Sequence, residues 1–201
     1  MSGHSEALNP AQKLGEYREK TRNNRLGLWL FIFSDAFVFG ALLIARFNLL
    51  GDSRPELNQG LGLAVTSLLL LSSFFMNRAE IAMAAGQQKM FLRNTLFTLL
   101  LGAIFLLGVV AVEWPLAAVH LSPRVGVAGS IFYTMTGFHA FHVLTGLIFL
   151  FIVWKNGRKG IYSAERHWAV EACAVYWHFV DVVWVFFYPA LYLIGSRVIG
   201  G

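Results

Sequence analysis

Long apolar runs alternate with short polar segments along most of the chain. Five runs are long enough, or nearly long enough, to cross a membrane; they cover residues 26–47, 60–76, 96–118, 127–154 and 168–194. A helix rises 1.5 Å per residue, so about 20 apolar residues span the hydrocarbon core of a bilayer. The second run is short, but no strong helix breaker follows it before Gly86, so its helix is expected to continue past the membrane surface. The pattern predicts an all-α membrane protein, a bundle of five transmembrane helices.

Composition agrees with this prediction. The chain has 201 residues, of which 57% are hydrophobic and 13% are charged, whereas about a quarter of the residues in a typical soluble domain are charged. Residues 1–25 are polar and lack the apolar core and cleavage site of a signal peptide. We therefore expect a retained N-terminal segment, 1–25, followed by one membrane domain, 26–201. Cys173, the only cysteine, lies within an apolar run, so neither a disulfide nor a thiolate metal site is expected.

The positive charges are distributed unevenly between the two sides of the predicted bundle. Twelve lie before the first run or in the second and fourth connections, and four lie on the opposite side. The larger group is Lys13, Arg18, Lys20, Arg22, Arg25, Arg78, Lys89, Arg93, Lys155, Arg158, Lys159 and Arg166, and the smaller group is Arg46, Arg54, Arg124 and Arg197. By the positive-inside rule the N-terminus is expected in the cytoplasm and the C-terminus outside. This distribution, with no basic groove, also argues against a nucleic-acid partner.

Several ionisable side chains interrupt the predicted spans. Each costs about 2.5–3.5 kcal/mol at the centre of a bilayer, so each requires a partner or a function. They are Asp35 in the first span, Glu113 in the third, His139 and His142 in the fourth, and Glu171, His178 and Asp181 in the fifth.

On helices, the polar residues of the last two spans form stripes. Glu171 and His178 share a face, with Asp181 about 60° away, and the two histidines of the fourth span are one turn apart. Small residues lie beside both stripes and allow close helix approach: Gly137, Ala140, Gly146, Ala172 and Ala174. The sequence therefore predicts that the fourth and fifth spans bury these faces against each other, with imidazole–carboxylate hydrogen bonds across the interface.

Three roles remain open for His139, His142, His178 and Asp181: structural hydrogen bonding, proton or lipid-headgroup contacts, and haem or metal ligation. The three histidines lie near one depth, which disfavours a two-haem cytochrome, although His142 and His178 could hold one haem. Asp35 has no basic neighbour within its own span, so proton handling, docking against another subunit and a structural hydrogen bond are all considered for it.

Other residues have ordinary explanations at this stage. His4, His120 and His167 fall in predicted loops or tails and are expected to be solvated. Pro189 is expected to interrupt the fifth helix because it removes the hydrogen bond to the Val185 carbonyl. An interfacial aromatic belt is predicted from Trp29, Trp114, Trp154, Trp168 and Tyr192. The chain has no phosphate-binding loop, nucleophile elbow or cysteine cluster, so catalysis by this chain alone is not expected.

Four segments of the chain resemble subunit III of the haem-copper respiratory oxidases. TGFHAFHVLTGL (136–147) is similar to the family's histidine signature, and EACAVYWHFVDVVWVFFYPALY (171–192) resembles its final helix. LFIFSDAFVF (30–39) matches its serine–acid element, with Asp35 where many members have Glu. The segment 86–114 resembles its third conserved segment, which ends in the acidic Glu113.

The resemblance implies a non-catalytic accessory subunit III of a proton-pumping terminal oxidase, a cytochrome c oxidase of aerobic electron transport. Such a subunit lies against subunit I, contacts other subunits such as subunit II, and supports the stability and proton uptake of subunit I. Haem and copper would reside on the partner subunits, and this chain would carry no cofactor apart from bound phospholipid. Five spans correspond to the short bacterial form, in the cytoplasmic membrane. Asp35 matches the carboxylate that reacts with carbodiimide in many members, and Arg25, which matches a basic residue ten positions earlier, is a candidate lipid-headgroup contact.

Alternative functions are retained for comparison. Within the same family, the chain could serve a quinol oxidase or a nitric oxide reductase, since the donor site lies on other chains. Outside it, a haem-bearing electron carrier and a small proton-coupled transporter are considered. The transporter is disfavoured because the sequence lacks discontinuous helices and a two-fold repeat.

Overall fold

The computed structural model describes residues 10–119, 121 and 126–198, with side chains described for 15–119, 121 and 126–196. His4 and His120, predicted to be solvated, lie outside the described residues. The described helices are α1 (Pro10–Leu50), α2 (Gln59–Ala84), α3 (Gln88–Leu107), α4 (Trp114–Ala117), α5 (Val127–Arg158) and α6 (Trp168–Tyr188). Two π-helical segments extend α3 and α6, over Gly108–Glu113 and Pro189–Leu193.

Five helical stretches are long and apolar enough to cross a membrane, which confirms the predicted fold class. They are Gly15–Leu50, Gln59–Ala84, Gln88–Ala117, Val127–Arg158 and Trp168–Leu193, called the first to fifth spans below. The first begins earlier than predicted because its helix starts at Pro10 and includes much of the polar N-terminal segment. The second continues beyond residue 76, as predicted.

The last four spans form a ring, and the first span lies outside it. The second span packs on the third and fifth, and the fourth packs on the third and fifth. The first span contacts the fourth and fifth spans but makes no substantial contact with the second. It is also the least buried of the five. The ring therefore forms the core, and the first span depends on a few specific contacts for its position.

Trp177 fills the centre of the ring and is fully buried. A Cβ atom on Gly102 would lie 2.5 Å from its ring, and one on Gly146 would lie 2.9 Å from it. Only glycine leaves room for the indole at these two positions. Gly146, which the sequence predicts to allow close helix approach, therefore makes room for Trp177. The indole also donates a hydrogen bond to Ser72 Oγ of the second span (3.1 Å).

The C-terminal ends of the first and fifth spans meet at one end of the bundle, called the outer end here. Two short parallel strands, β1 (Ser53–Pro55) and β2 (Ser196–Val198), pair there. The regular α-helix of the fifth span ends at Tyr188, directly before Pro189, where the sequence predicts an interruption. In the third span the π-helical segment ends just before Pro115, whose ring would clash with the carbonyl of an uninterrupted α-helix.

Candidate functional site

Asp35 and His142 form a polar contact between the first and fourth spans. Asp35 Oδ2 lies 3.1 Å from His142 Nε2, and both side chains are largely shielded, with 18% and 8% of their surface exposed. The other ring nitrogen of His142, Nδ1, lies 2.8 Å from the carbonyl oxygen of Phe138. Asp35 has no basic neighbour in the first span, but it contacts the imidazole of His142 in the fourth span.

The geometry fixes how many protons this pair holds. A carbonyl oxygen only accepts hydrogen bonds, so Nδ1 of His142 carries a hydrogen. The contact between Nε2 and Asp35 Oδ2 then needs one further proton, which resides on the carboxyl group or on the imidazole. In both cases the pair has no net charge. A neutral pair in the membrane avoids the cost of burying an isolated ion.

His178 is half-buried and contacts the second span. Its Nδ1 lies 2.7 Å from Ser73 Oγ. Asp181, one turn away, is almost completely buried, and neither of its carboxyl oxygens has a hydrogen-bond partner among the described residues. The hydrogen bonds predicted for His178 and Asp181 across the interface with the fourth span are therefore absent from the described part of the chain.

His139 is enclosed by aromatic rings. Its imidazole stacks on Trp184 with a centroid distance of 4.9 Å and an interplanar angle of 30°, and Phe105 meets it edge-on at 5.9 Å. Neither ring nitrogen has a hydrogen-bond partner among the described side chains and backbone groups. His139 therefore acts as a packed aromatic ring and not as an interhelical hydrogen-bond donor.

Glu113 and Tyr192 meet at the outer end, each within a π-helical segment. The Tyr192 hydroxyl donates a hydrogen bond to Glu113 Oε1, and both side chains are buried. A Cβ atom on Gly62 would lie 2.6 Å from the Tyr192 ring, so this glycine makes room for the tyrosine. The prediction that Tyr192 belongs to an interfacial aromatic belt is therefore wrong: it is fully enclosed and pairs with the acid of the third span.

At the opposite, inner end, Glu171 joins the first and fifth spans. Its Oε2 accepts a hydrogen bond from Arg25 at 2.5 Å, and its Oε1 lies 3.3 Å from His167 Nε2. His167 also lies 3.1 Å from the Ser163 carbonyl oxygen through Nδ1. The prediction of an ordinary solvated His167 is wrong, because helix α6 starts beside it and places it one turn from Glu171.

Arg46 is a buried residue whose role the sequence did not reveal. Its guanidinium donates four hydrogen bonds to backbone carbonyl oxygens, at 2.6–2.9 Å. The acceptors are Gly51, Ser53, Ala190 and Ile194. These carbonyls lie at or beyond the ends of α1 and α6, where a helix has unpaired acceptors and a partial negative charge. The one available signal was a lone arginine in an apolar run.

The predicted partners of the polar set are therefore wrong, although its burial is largely as predicted. The fourth and fifth spans do pack together, yet no described imidazole–carboxylate bond crosses between them. His142 contacts the first span and His178 the second. A hydrogen bond between the fourth and fifth spans instead comes from Tyr176, whose hydroxyl donates to the His142 carbonyl oxygen at 3.2 Å.

The contacts of His142 and His178 bear on the alternative that these two residues hold one haem. Within the described residues no group of three His, Cys, Asp or Glu side chains is placed to hold a metal ion. Both ring nitrogens of His142 already have protein acceptors or donors, and Nδ1 of His178 contacts Ser73. Joint ligation of a haem by these two residues would require His142 to give up its contact with Asp35 or Phe138.

Comparison with known proteins gives one consistent family. The family profile for cytochrome c oxidase subunit III matches residues 11–196. The chain is 31% identical over 201 residues to cytochrome c oxidase subunit 3 of Thermostichus vulcanus, covering 96% of this chain and 98% of that protein. It is 35% identical over 185 residues to the protein of that name from Equus caballus, covering 86% and 70%. The protein of that name from Dugong dugon is 34% identical over the same coverage.

Proposed function

The chain belongs to the cytochrome c oxidase subunit III family and is an accessory subunit of the terminal oxidase, and we propose that it stabilises subunit I and supports its proton uptake. The family match favours this function over a haem-bearing electron carrier, a transporter, and accessory subunits of quinol oxidases or nitric oxide reductases. The chain is a multi-pass membrane protein of an oxidase complex.

The Asp35–His142 contact is the observation that carries the proposal. The first span packs only on the edge of the ring, and this contact joins it to the ring at mid-membrane (3.1 Å). A helix held by specific polar contacts keeps one position, and a fixed surface is what a stabilising subunit must present to its partner. The pair shares one proton and has no net charge, so it joins the two spans without burying an isolated ion, which suits a stabilising role.

The proposal includes the placement of the chain in its complex. Subunit I is the main contact and subunit II a further neighbour, and both haem and copper reside on those partner chains. The inner end, with its excess of Lys and Arg, faces the cytoplasm of a bacterial cell and the C-terminus faces outside. On that inner side Glu80, His167 and Glu171 lie near one another, at the membrane surface from which protons are taken up.

We further propose that a phospholipid binds beside the first span. A groove of about 710 Å³ lies between the first, fourth and fifth spans, lined mainly by apolar and aromatic side chains such as Phe31, Phe149 and Trp168. The Arg25 guanidinium lies 5.6 Å from the Trp168 ring and is more than half exposed. An acyl chain fits the groove, and the free donors of Arg25 suit a phosphate headgroup.

Substitution of the buried acids tests the stabilising role. In the assembled oxidase, Asp35→Ala and Asp181→Asn are expected to lower oxygen turnover and to shorten the enzyme's active life during turnover. The matched control is Ser34→Ala, the exposed neighbour of Asp35 on the same span. If both acid variants assemble, turn over oxygen and resist inactivation as the control does, the assignment of these residues is refuted.

Two further measurements test the cofactor and lipid proposals. A reduced-minus-oxidised spectrum of the purified chain is expected to contain no haem bands; a Soret band in stoichiometric amount would contradict the proposal. Native mass spectrometry of the chain is expected to detect bound phospholipid that is reduced in Arg25→Ala and retained in Arg22→Ala, an exposed arginine one turn away. Equal retention in both variants would exclude Arg25 as the headgroup contact.

A further inference from the structure

His167 is held between two oxygen atoms at the inner end of the bundle. It directly precedes α6, and only 13% of its side chain is exposed. Nδ1 lies 3.1 Å from the Ser163 carbonyl oxygen, and Nε2 lies 3.3 Å from Glu171 Oε1. Each nitrogen of the ring therefore faces a hydrogen-bond acceptor.

These two contacts determine how many protons the imidazole carries. A carbonyl oxygen only accepts hydrogen bonds, so Nδ1 carries a hydrogen. Glu171 is an ion-paired carboxylate, because Arg25 donates to its other oxygen at 2.5 Å. An unprotonated Nε2 would place two acceptors face to face, so the hydrogen between Nε2 and Oε1 belongs to the imidazole. Only the imidazolium carries hydrogens on both nitrogens, and the arrangement therefore corresponds to a protonated His167.

The proton on His167 balances the charge of this cluster. Glu80 of the second span lies near both His167 and Glu171 and interacts with them electrostatically. When His167 is protonated, it and Arg25 supply two positive charges against the two carboxylates, and the cluster is neutral. Loss of the proton leaves one negative charge in excess. The protonation of His167 therefore sets the local charge at the inner ends of the first, second and fifth spans.

Two neighbouring contacts join the first span to the start of α6 without an imidazole. The backbone N–H of Trp168 donates to the Tyr17 hydroxyl at 3.2 Å, and the Arg166 guanidinium lies 5.6 Å from the Tyr17 ring. Tyr17 and Arg166 are thus further ionisable groups beside the cluster. Because neither contact uses the proton of His167, we expect both to persist when that proton leaves. The main consequence of deprotonation is then a change of charge.

Arg25 connects this cluster to the groove proposed above to hold a phospholipid. Its guanidinium lies 5.6 Å from the ring of Trp168, which lines the groove, and 56% of its side chain is exposed. A headgroup phosphate bound to Arg25 would lie beside the Glu171 carboxylate, and these two anions would repel each other. A positive charge on His167, in contact with the same carboxylate, offsets that repulsion.

We propose that His167 is a proton-binding site that regulates the headgroup site at Arg25, so that an anionic phospholipid binds more tightly when His167 is protonated. This inference rests on the proposed phospholipid site. Because linkage between two ligands is reciprocal, the bound phosphate also favours the proton on His167. Histidine is the side chain whose charge changes between about pH 5 and 8. The contribution of His167 to lipid binding is present at low pH and is lost as the pH on the inner side rises.

Lipid titration at two pH values tests the linkage. Purified, delipidated oxidase is titrated with dioctanoyl phosphatidylglycerol, whose phosphodiester stays ionised at both about pH 5 and about pH 8. The affinity is expected to be about twofold to tenfold higher at the lower pH, as for charges separated by one side chain near a protein surface. Equal binding at both pH values leaves the phospholipid site standing and overturns the linkage. No binding at either pH refutes the phospholipid site and this inference together.

The headgroup without acyl chains distinguishes a lipid from a soluble phosphodiester. Glycerophosphoglycerol carries the same phosphodiester but cannot fill the apolar groove. It is expected not to displace dioctanoyl phosphatidylglycerol at either pH. Displacement at comparable concentration would show that Arg25 binds a soluble phosphodiester, which overturns the assignment of this site to lipid.

Substitutions of His167 separate its charge from its structural role. His167→Gln can still donate to Glu171 but is neutral at every pH, so it is expected to bind the lipid at both pH values as the wild type does at about pH 8. His167→Lys adds a fixed cation and is expected to bind at both values as the wild type does at about pH 5. Ser163→Ala keeps the backbone carbonyl and is the matched control, which should retain the wild-type pH dependence. An unchanged pH dependence in His167→Gln assigns the effect to another group and overturns the proposal.

Nitrogen NMR tests the proton on His167 directly. In the full chain with isotope-labelled histidine, reconstituted in lipid nanodiscs, the signals that disappear in His167→Gln belong to this residue. At about pH 5 both of its nitrogens are expected to show the signals of an imidazolium. As the pH rises to about 8, Nε2 should lose its hydrogen while Nδ1, bound to the Ser163 carbonyl oxygen, keeps its own. A neutral ring at about pH 5 refutes the proton-binding site.

Discussion

The two ends of the first span are each fixed by an arginine, but in opposite environments. At the outer end Arg46 is fully buried and donates to four backbone carbonyl oxygens. At the inner end Arg25 is 56% exposed and donates to one carboxylate, that of Glu171. The sequence counts both as positive charges near a span end. The structure makes one a buried connection between two helix ends and the other a surface ion pair.

The difference follows from what each guanidinium replaces. The Ala190 carbonyl oxygen is bound in a buried contact and the other three acceptors are partly buried, so losing Arg46 would leave at least one acceptor without a partner and deprive the others of a fixed donor. Water can replace Arg25 at the carboxylate of Glu171, and salt screens the pair. Between them, the Asp35–His142 contact is shielded but uncharged overall. The contribution to the free energy of unfolding should therefore be largest for the Arg46 contacts, intermediate for the Asp35–His142 contact and smallest for the Arg25–Glu171 ion pair.

The largest effect is expected at Arg46. Arg46→Ala should lower the free energy of unfolding of the full chain in detergent by about 3–5 kcal/mol, because four carbonyl oxygens lose their donors. Arg46→Lys should lower the free energy of unfolding by less than Arg46→Ala does. The lysine ammonium keeps the charge, but it lacks the planar guanidinium that lets arginine reach four acceptors. Denaturant unfolding monitored by circular dichroism measures both, with exposed Arg22→Ala as the control. A loss below that of Asp35→Ala would reverse the proposed order.

A medium effect is expected at Asp35. Asp35→Ala should cost about 0.6–2 kcal/mol, the range for interhelical hydrogen bonds in membranes. Asp35→Asn should cost much less, because an amide N–H can donate to His142 Nε2 while Nδ1 keeps its own hydrogen. Denaturant unfolding monitored by circular dichroism compares the losses in Asp35→Ala and Asp35→Asn. Equal losses in the two variants would indicate that a charged carboxylate is required, which contradicts a contact satisfied by a neutral donor.

The smallest effect is expected at Arg25. Arg25→Gln should lower the free energy of unfolding by about 0.2–1 kcal/mol, as for other exposed ion pairs. The loss should shrink further as ionic strength rises, because the Debye length falls from about 10 Å at 0.1 M salt to about 3 Å at 1 M. Unfolding of wild type and variant at both salt concentrations measures this. A large, salt-independent loss would show that the inner contact is as important as the outer one.

The fold was largely predictable because the bilayer imposes a simple rule on the chain. A backbone in hydrocarbon must satisfy its own hydrogen bonds, so each long apolar run becomes a helix. The fourth and fifth spans start at Val127 and Trp168, as predicted, because the polar connections end there. The helical start at Pro10 and the pairing of β1 with β2 were not predictable, because polar segments at the membrane surface have no comparable constraint.

The candidate site was predictable in its members but not in its partners. Asp35, Glu113, His142 and His178 stand out in apolar sequence, and the structure places all of them in interhelical contacts. The predicted partners were on the wrong spans. Periodicity indicates which face of a helix is polar, but it does not indicate which other helix lies against that face.

The sequence by itself determined that this chain crosses a membrane five times, that it belongs to one family, and which polar side chains must be sheltered from lipid. Those properties follow from local composition and from the cost of burying polar groups. Only the tertiary structure decided that Asp35 contacts His142, 107 residues away, and that Arg46 joins two helix ends 144 residues apart. Such contacts depend on the order of helices around the ring, which packing of the whole chain sets.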